Sequence, residues 1–493
     1  MMSANSGARL PQHSRLPRMM LAAGLTLAGG ALAQDATPPA SVSTSTTAPA
    51  PAAACPARPA INFNRWSENW SVLAQPCVPR APFDGLKYLP LSDDGLSYLS
   101  LGANLRERME HNDAPSFGIG AGGHADTYVI ERAEVHADLR LGPQWQAFVQ
   151  LEDARPFHKD AVSPVDRDQL DLEQAFVTYV RRLDDGWFKA RAGRQEMAFD
   201  LQRFIAVRDG PNVRQSFDAL WADWETPHMR WIAYLTQPVQ YRDASHFDDI
   251  SNGHLSFNGL RVERNDIGGG DLSAYYSRYR RDGARFLDGQ GDEGRNVFDV
   301  RYSGKTARFD WDVETMAQSG QVGARSIRAW ALGSIIGYGW PQLAGKPRAG
   351  LQFDAASGDH HAGDGRVGTF NPLFPNGYYF SLAGYTGYAN LIHLKPSLTL
   401  KPIAGLTLLA ALGLQWRETT ADAVYAQGSA VVPGTMGRGR RWTGAYAQTR
   451  ADWSVNRNLT ASVEAVHFQV GDTLRQAGGA NADYVGVELK FGW

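Results

Sequence analysis

Between Lys189 and Arg214 the chain sets six basic side chains within 26 positions: Lys189, Arg191, Arg194, Arg203, Arg208 and Arg214. A guanidinium can donate two parallel hydrogen bonds to one carboxylate, so arginines held around a water-filled space would form a field matched to carboxylate-bearing solutes. Glu196, Asp209 and Asp218 lie within the same site, residues 189–218. They compete for the same cations, in a network that would do no more than stiffen a wall.

Other chemistries are set aside on spacing. Gly118–Gly123 matches G-x-G-x-x-G, but it follows a polar loop and leads into a β pattern, where a dinucleotide site needs a strand-to-helix turn. His360 and His361 with Asp354, Asp359 and Asp364 fit no standard metal spacing and read as a solvated loop. HExxH, Walker A and G-x-S-x-G do not occur. His393 or His467 with a neighbouring Ser is too common a coincidence to support a lipase-type barrel. The expectation is a protein with no covalent chemistry, no catalytic residues, no metal and no cofactor.

The elements that must position the basic cluster are strands. The chain ends in Val485-Gly486-Val487-Glu488-Leu489-Lys490-Phe491-Gly492-Trp493, large apolar residues alternating with small or charged ones. Strand side chains point alternately to opposite faces, so this segment has one oily and one wet side. In another segment Ala133, Val135, Ala137, Leu139 and Leu141 face one way, and Arg132, Glu134, His136, Asp138 and Arg140 the other. Five successive polar side chains cannot sit unpaired in a dry core, but they can line a watery lumen. The alternation recurs at Leu99–Arg108, Trp145–Glu152, Ala307–Glu314, Ile392–Lys401 and Leu459–Ala465, whereas 170–183, 326–340 and 404–417 are apolar on both parities and cannot be phased. Arg194 and Glu196 share the parity of Ala190 and Ala192, from which a bulge or strand end is expected near Gly193.

Connections alternate as well. Tight links at Gly142–Gln144, Asp184–Gly186 and Val455–Arg457 read as periplasmic turns. Long polar stretches at 111–125, 155–168, 238–253, 281–294, 358–388, 418–440 and 470–481 read as extracellular loops. The fold class is therefore all-β, a transmembrane antiparallel β-barrel. Residues 97–493, at about 22 residues per strand and connection, give roughly 16 to 18 strands around an aqueous channel. A blade-length repeat, which would mark a soluble propeller, is absent.

The N-terminus supplies the address. Arg9, Arg15 and Arg18 precede an apolar run from Met19 to Leu32, and Ala31-Leu32-Ala33 suits a signal peptidase, so 1–33 is expected to be a signal peptide. Its removal leaves 46 basic and 51 acidic residues, a formal charge of −5 with no field that points to nucleic acid. Residues 34–60 are Pro, Ala, Ser and Thr with almost no large apolar residue and read as a disordered tether. Residues 61–96 bring Trp66, Trp70, Leu73, Phe83 and Tyr88 and read as a short folded segment at the periplasmic mouth or a plug partly inside the barrel. Cys55 and Cys77, an even pair in an exported chain, are permitted to form a disulfide that staples this extension and not the barrel.

Gly193-Arg194-Gln195-Glu196, the stretch from Gly210-Pro211-Asn212-Val213-Arg214 to Ser216-Phe217-Asp218, the Gly368–Pro375 loop, and Leu99–Gly102 leading into Leu105–Arg108 resemble the alginate-export family of bacterial outer-membrane proteins. The resemblance extends from roughly Asn64 to Trp493. It implies an 18-stranded barrel whose electropositive constriction passes an anionic uronic-acid polymer. Carried onto matching positions, it marks Arg106, Arg108, Arg194, Arg208, Asn212, Arg214 and Asp218 as pore lining; Arg132, Arg140, Lys189 and Arg191 join them on parity alone. The expected partners are outer-membrane lipid, the barrel-assembly machinery, periplasmic export proteins and an anionic polysaccharide, with uptake of small carboxylates or sugar acids as the alternative.

Overall fold

Strands with one oily and one wet face can cross a membrane only if every backbone edge finds a partner. In the computed structural model, which describes residues 55–120 and 123–493, they do so by closing into a ring. The expected signal peptide and most of the tether lie outside the described residues. Eighteen long strands follow in order: β1 Tyr98–Asn112, β2 Asp126–Leu141, β3 Trp145–Phe157, β4 Asp168–Arg182, β5 Trp187–Glu196, β6 Ser216–Glu225, β7 Met229–Gln240, β8 Leu255–Ile267 and β9 Gly270–Phe286. The second half comprises β10 Gly289–Lys305, β11 Phe309–Val322, β12 Arg325–Gly339, β13 Arg348–Ala356, β14 Leu391–Leu400, β15 Leu406–Trp416, β16 Trp442–Ser454, β17 Leu459–Val470 and β18 Ala482–Gly492. Each pairs antiparallel with the next, and β18 returns to β1 with Phe491 opposite Leu105 and Glu488 opposite Arg108.

The two faces separate as the alternation requires. Leu105, Met109, Val135, Leu489 and Phe491 are exposed on the outside, while Arg106, Arg108, Glu134 and Glu488 on the other parity are buried inside. Trp145, Trp224, Trp231, Phe309, Tyr338 and Trp453 are exposed near the short-turn end, as in the aromatic girdle of an interface. Turns at that end span two to eight residues, whereas three connections at the opposite end, 197–215, 357–390 and 417–441, are long.

Three expectations are corrected or sharpened here. Residues 281–294 are not a loop: β9 and β10 continue through them, past a register shift after Arg281, to pair Phe286 with Gly289. Of the bulge or strand end expected near Gly193, the second is found: no bulge interrupts β5, whose ladder with β6 runs unbroken from Trp187 to the strand's end at Glu196. Gly193 instead has φ +124°, where an added Cβ would collide with the Ala175 carbonyl. Finally, 170–183 could not be phased because β4 carries two register shifts against β3, one between Gln150 and Leu151 and one between Glu152 and Ala154. Each adds a residue to β4 and reverses its parity.

Residues 55–97 form short 3-10 turns at Arg65–Ser67 and Trp70–Ala74 and one helical turn at Asp84–Lys87. Trp70, Leu73, Val78 and Tyr88 pack together against Tyr98 of β1. Cys55 and Cys77 are bonded, with Cα atoms 5.8 Å apart, inside this segment.

Candidate functional site

Two long connections fold into the barrel. Loop 197–215 and loop 357–390 join through a bridge between Ile205 and Phe374, with Ala206 N–H donating to the Phe374 carbonyl (2.9 Å) and Phe374 N–H to that of Phe204 (2.9 Å). Phe199, Phe204, Phe370, Phe374, Phe380 and Tyr388 make a dry cluster against inward residues of β6 to β12, including Phe217, Tyr234, Phe257, Met316, Ala329 and Ala331. This accounts for a β12 that is apolar on both parities: its outer face meets lipid and its inner face meets the loops.

The polar side of loop 197–215 is held by arginines of the facing wall. Arg106 donates to the carbonyls of Asp209 (2.6 Å) and Pro211 (2.9 Å) and to Asn212 Oδ1 (2.7 Å). Arg108 donates to the Gly210 carbonyl (2.6 Å) and lies 2.7 Å from Glu110. Arg132 donates to the Asn212 carbonyl (3.2 Å) and pairs with Asp209, which also binds Lys490 at 2.8 Å. From the loop itself, Arg214 meets Glu134 at 3.1 Å and Glu196 at 2.5 Å. Burial alone would raise the Asp209 carboxyl, but Lys490, Arg132 and Arg106 outweigh it and hold the group well below the carboxylate range.

From the other mouth, residues 55–97 reach the same lumen. The Trp66 carbonyl accepts from Arg140 (2.6 Å) and Gln146 (2.8 Å), and Arg191 lies over the Trp66 ring at 3.8 Å. Phe63 sits against Arg214 at 4.2 Å, and a cavity of only about 30 Å³ lies where Phe63 and Trp66 face Met197, Gln202 and Val207. Arg65, buried, donates to the terminal Trp493 carbonyl at 2.7 Å.

The remaining expected positions lie apart. Lys189 pairs with Glu225 at 2.6 Å near the short-turn end. Arg194 keeps the parity of outward-facing Ala192 and Leu220 and pairs across the strand with Asp218 at 3.0 Å, under loop 241–254. The pair thus belongs to the outer rim, because no bulge turns Arg194 inward. Asn212 binds Arg106 and the Glu131 and Asp166 carbonyls, acting as a loop anchor.

Above the inward loops, on the long-loop side, a cavity of about 880 Å³ opens. Its charged lining includes Arg108, Lys159, Arg208, Arg281 and Arg285 against Glu110 and Asp166. Arg108 pairs with Glu110 and Lys159 with Asp166 (2.6 Å). Among the described residues, no carboxylate lies within ion-pair distance of Arg208, Arg281 or Arg285. Arg208 is half-buried beside Phe374 at 5.9 Å and holds a left-handed φ of 54°. Burial pushes its guanidinium down from the ordinary value while Tyr241 and Tyr279 oppose the shift; an arginine there stays charged. The sequence reading missed Lys159, Arg281 and Arg285. The signal was the run Arg278, Arg280, Arg281 and Arg285, hidden by reading the stretch as loop.

A closed antiparallel barrel with an oily exterior and a polar interior defines an outer-membrane channel, and comparisons with solved structures agree. The crystal structure of Pseudomonas aeruginosa OccK9 (OpdG) matches with a TM-score of 0.52 and 13% identity, over 80% of this chain and 98% of that one. Acinetobacter baumannii OccAB4 matches with a TM-score of 0.53 and 8% identity over 80% and 97%. Pseudomonas aeruginosa OccK2 (OpdF) in complex with glucuronate does so with 0.52 and 11% over 80% and 97%. These likenesses speak to fold. No curated sequence matches the chain. The family model for alginate export matches residues 97–488, and the chain belongs to that family. It is a β-barrel channel of the bacterial outer membrane.

Proposed function

We propose that this channel passes anionic solutes of the uronate class, its physiological role being export of an alginate-like polyuronate. The observation that carries the reading is the trio Arg208, Arg281 and Arg285, cations on the wall of the 880 Å³ cavity with no carboxylate of their own. A fixed cation that is not ion-paired to a wall carboxylate can meet that of a solute, and rings of such charge select counter-ions in pores. Arg106, Arg108, Arg132 and Arg214, by contrast, spend their hydrogen bonds on loop 197–215 and on wall acids. They act by shaping the lumen. Residues 61–96 serve as a plug of the periplasmic mouth that must shift before a polymer can thread.

The second reading, uptake of small carboxylates or sugar acids, is supported by the similarity to OccK2, whose structure holds glucuronate. A passive pore follows the gradient, so both readings share one recognition chemistry. Titrating oligouronates and glucuronate into a single-channel recording separates them: block that strengthens with chain length supports the polymer, equal block by the monomer supports uptake, and no block by either removes the uronate reading.

A further inference from the structure

The upper end of β4 lacks its neighbour on one side. Pairing with β5 begins only at Ala175 opposite Arg194, because the chain beyond Glu196 turns into the lumen. Loop 241–254 covers the gap: Phe247 N–H donates to the Leu170 carbonyl (3.2 Å) and Asp249 N–H to Asp171 Oδ2 (3.1 Å). Arg194 ties the Leu172 carbonyl (3.1 Å) to that of Asp249 (3.4 Å).

Three carboxylates meet at this seam. Asp168 and Asp171 are three apart in sequence and would face opposite ways on a regular strand. The register shift that places Asp171 opposite Glu152 and Asp168 opposite Ala154 turns both to the inner face. Ligand oxygens of Asp168, Asp171 and Asp249 all lie within 4.8 Å of one another. A separate observation points to a missing partner: Asp168 is 3% exposed, and its Oδ1 has no hydrogen-bond donor. On the covering loop, Asp243 and Asp248 each carry another buried, unpartnered Oδ1. Among the described residues, no Lys or Arg forms an ion pair with any of the three clustered aspartates. The nearby Arg194 gives its side-chain charge to Asp218.

Burying this much like charge is unfavourable when the nearest cation, Arg194, is already paired with Asp218. Hard oxygen donors from carboxylates on flexible spacing suit calcium, which takes six to eight of them at about 2.3–2.6 Å, water filling the rest. Two other acidic groups do not make the same case. In the first, Asp200 and Glu314 are ion-paired with Arg203, Arg261 and Arg301, which supply positive charge beside the unpaired Asp299, and Asp288 of the Asp288, Asp359 and Asp364 group pairs with Arg325.

We propose that Asp168, Asp171 and Asp249 form a divalent-cation site, of calcium type, that fastens loop 241–254 to the unpaired end of β4. The test uses the full chain folded in detergent, stripped with chelator and titrated with calcium chloride alone. Arg242, exposed in the covering loop, is the tryptic site to follow. With affinity near the millimolar range of extracellular calcium modules, about 10 mM calcium should slow cleavage after Arg242 by about tenfold or more. Asp168→Asn and Asp249→Asn should each abolish the protection, while Asp288→Asn keeps it. Should Asp168→Asn fail to assemble, Asp249→Asn decides, since it changes a loop outside the wall. Cleavage at the same rate in calcium and chelator, or protection retained in Asp249→Asn, overturns the proposal.

Discussion

At the residue scale, the arginines of the lumen divide by what they touch. Arg208, Arg281 and Arg285 face the open cavity without an acid, so changing each to Glu should lower or reverse anion preference in bilayer recordings while the barrel still migrates as a heat-modifiable band. The effect should fade as salt rises, because the screening length, about 10 Å at 0.1 M, shortens with it. Arg132 should behave differently. It bonds Asn212 and Asp209 in a buried network, and Arg132→Ala leaves that carboxylate under-compensated. Breaking such a buried pair costs about 3–5 kcal/mol. The expected outcome is release of loop 197–215, read as faster proteolysis within it and a larger, noisier conductance; an unchanged loop would show the contact to be dispensable. Parity in the sequence located Arg106, Arg108, Arg132 and Arg140 on a wet face. It could not tell free cations from paired ones, because the partners of Arg106 and Arg132 lie about a hundred and about eighty positions away. Arg194 already showed the outward parity of Ala190 and Ala192, and the unbroken β5–β6 ladder keeps it there with no bulge to turn it inward.

At the element scale, the plug proposed for residues 61–96 turns on one buried lysine. Lys87 is buried over the rings of Trp70 (5.3 Å) and Trp493 (4.5 Å) with no hydrogen-bond acceptor for its ammonium group. Burial first, then the charge of Arg65, lowers it from 10.5 to about 7, with Glu68 opposing. A lysine whose value is depressed in the docked state holds fewer protons there than when released, so docking strengthens as pH rises from about 7 towards 10.5 and levels off below 7. Open probability should accordingly fall between pH 7 and pH 10, and Lys87→Met should remove the dependence. A flat profile in the parent would show that Lys87 does not report docking. Removing 61–96 should raise conductance at every pH. The strand pattern was legible wherever one face met lipid and the other water. It failed at β4, where two inserted residues reverse parity, and at β12, where folded-in loops supply a second dry surface. Neither cause is local in sequence.

At the scale of the whole molecule, alternation near Trp493, an N-terminus that reads as a signal peptide and short-turn, long-loop asymmetry were enough to indicate a barrel of roughly the right strand number. The family motifs narrowed the number to eighteen. What the linear sequence could not carry was the interior: two loops joined at Ile205 and Phe374, a segment entering from the opposite mouth, and a cavity whose charge balance emerges only once Arg108 and Lys159 are matched to their acids. That residual positive charge should set the selectivity of the pore. The most direct measurement is the reversal potential of the purified channel in a planar bilayer under a tenfold gradient of potassium chloride, with and without residues 61–96. Anion selectivity in both forms, with larger current in the shortened one, is the predicted result. Cation selectivity in either form would contradict it and return the lumen arginines to a purely structural role.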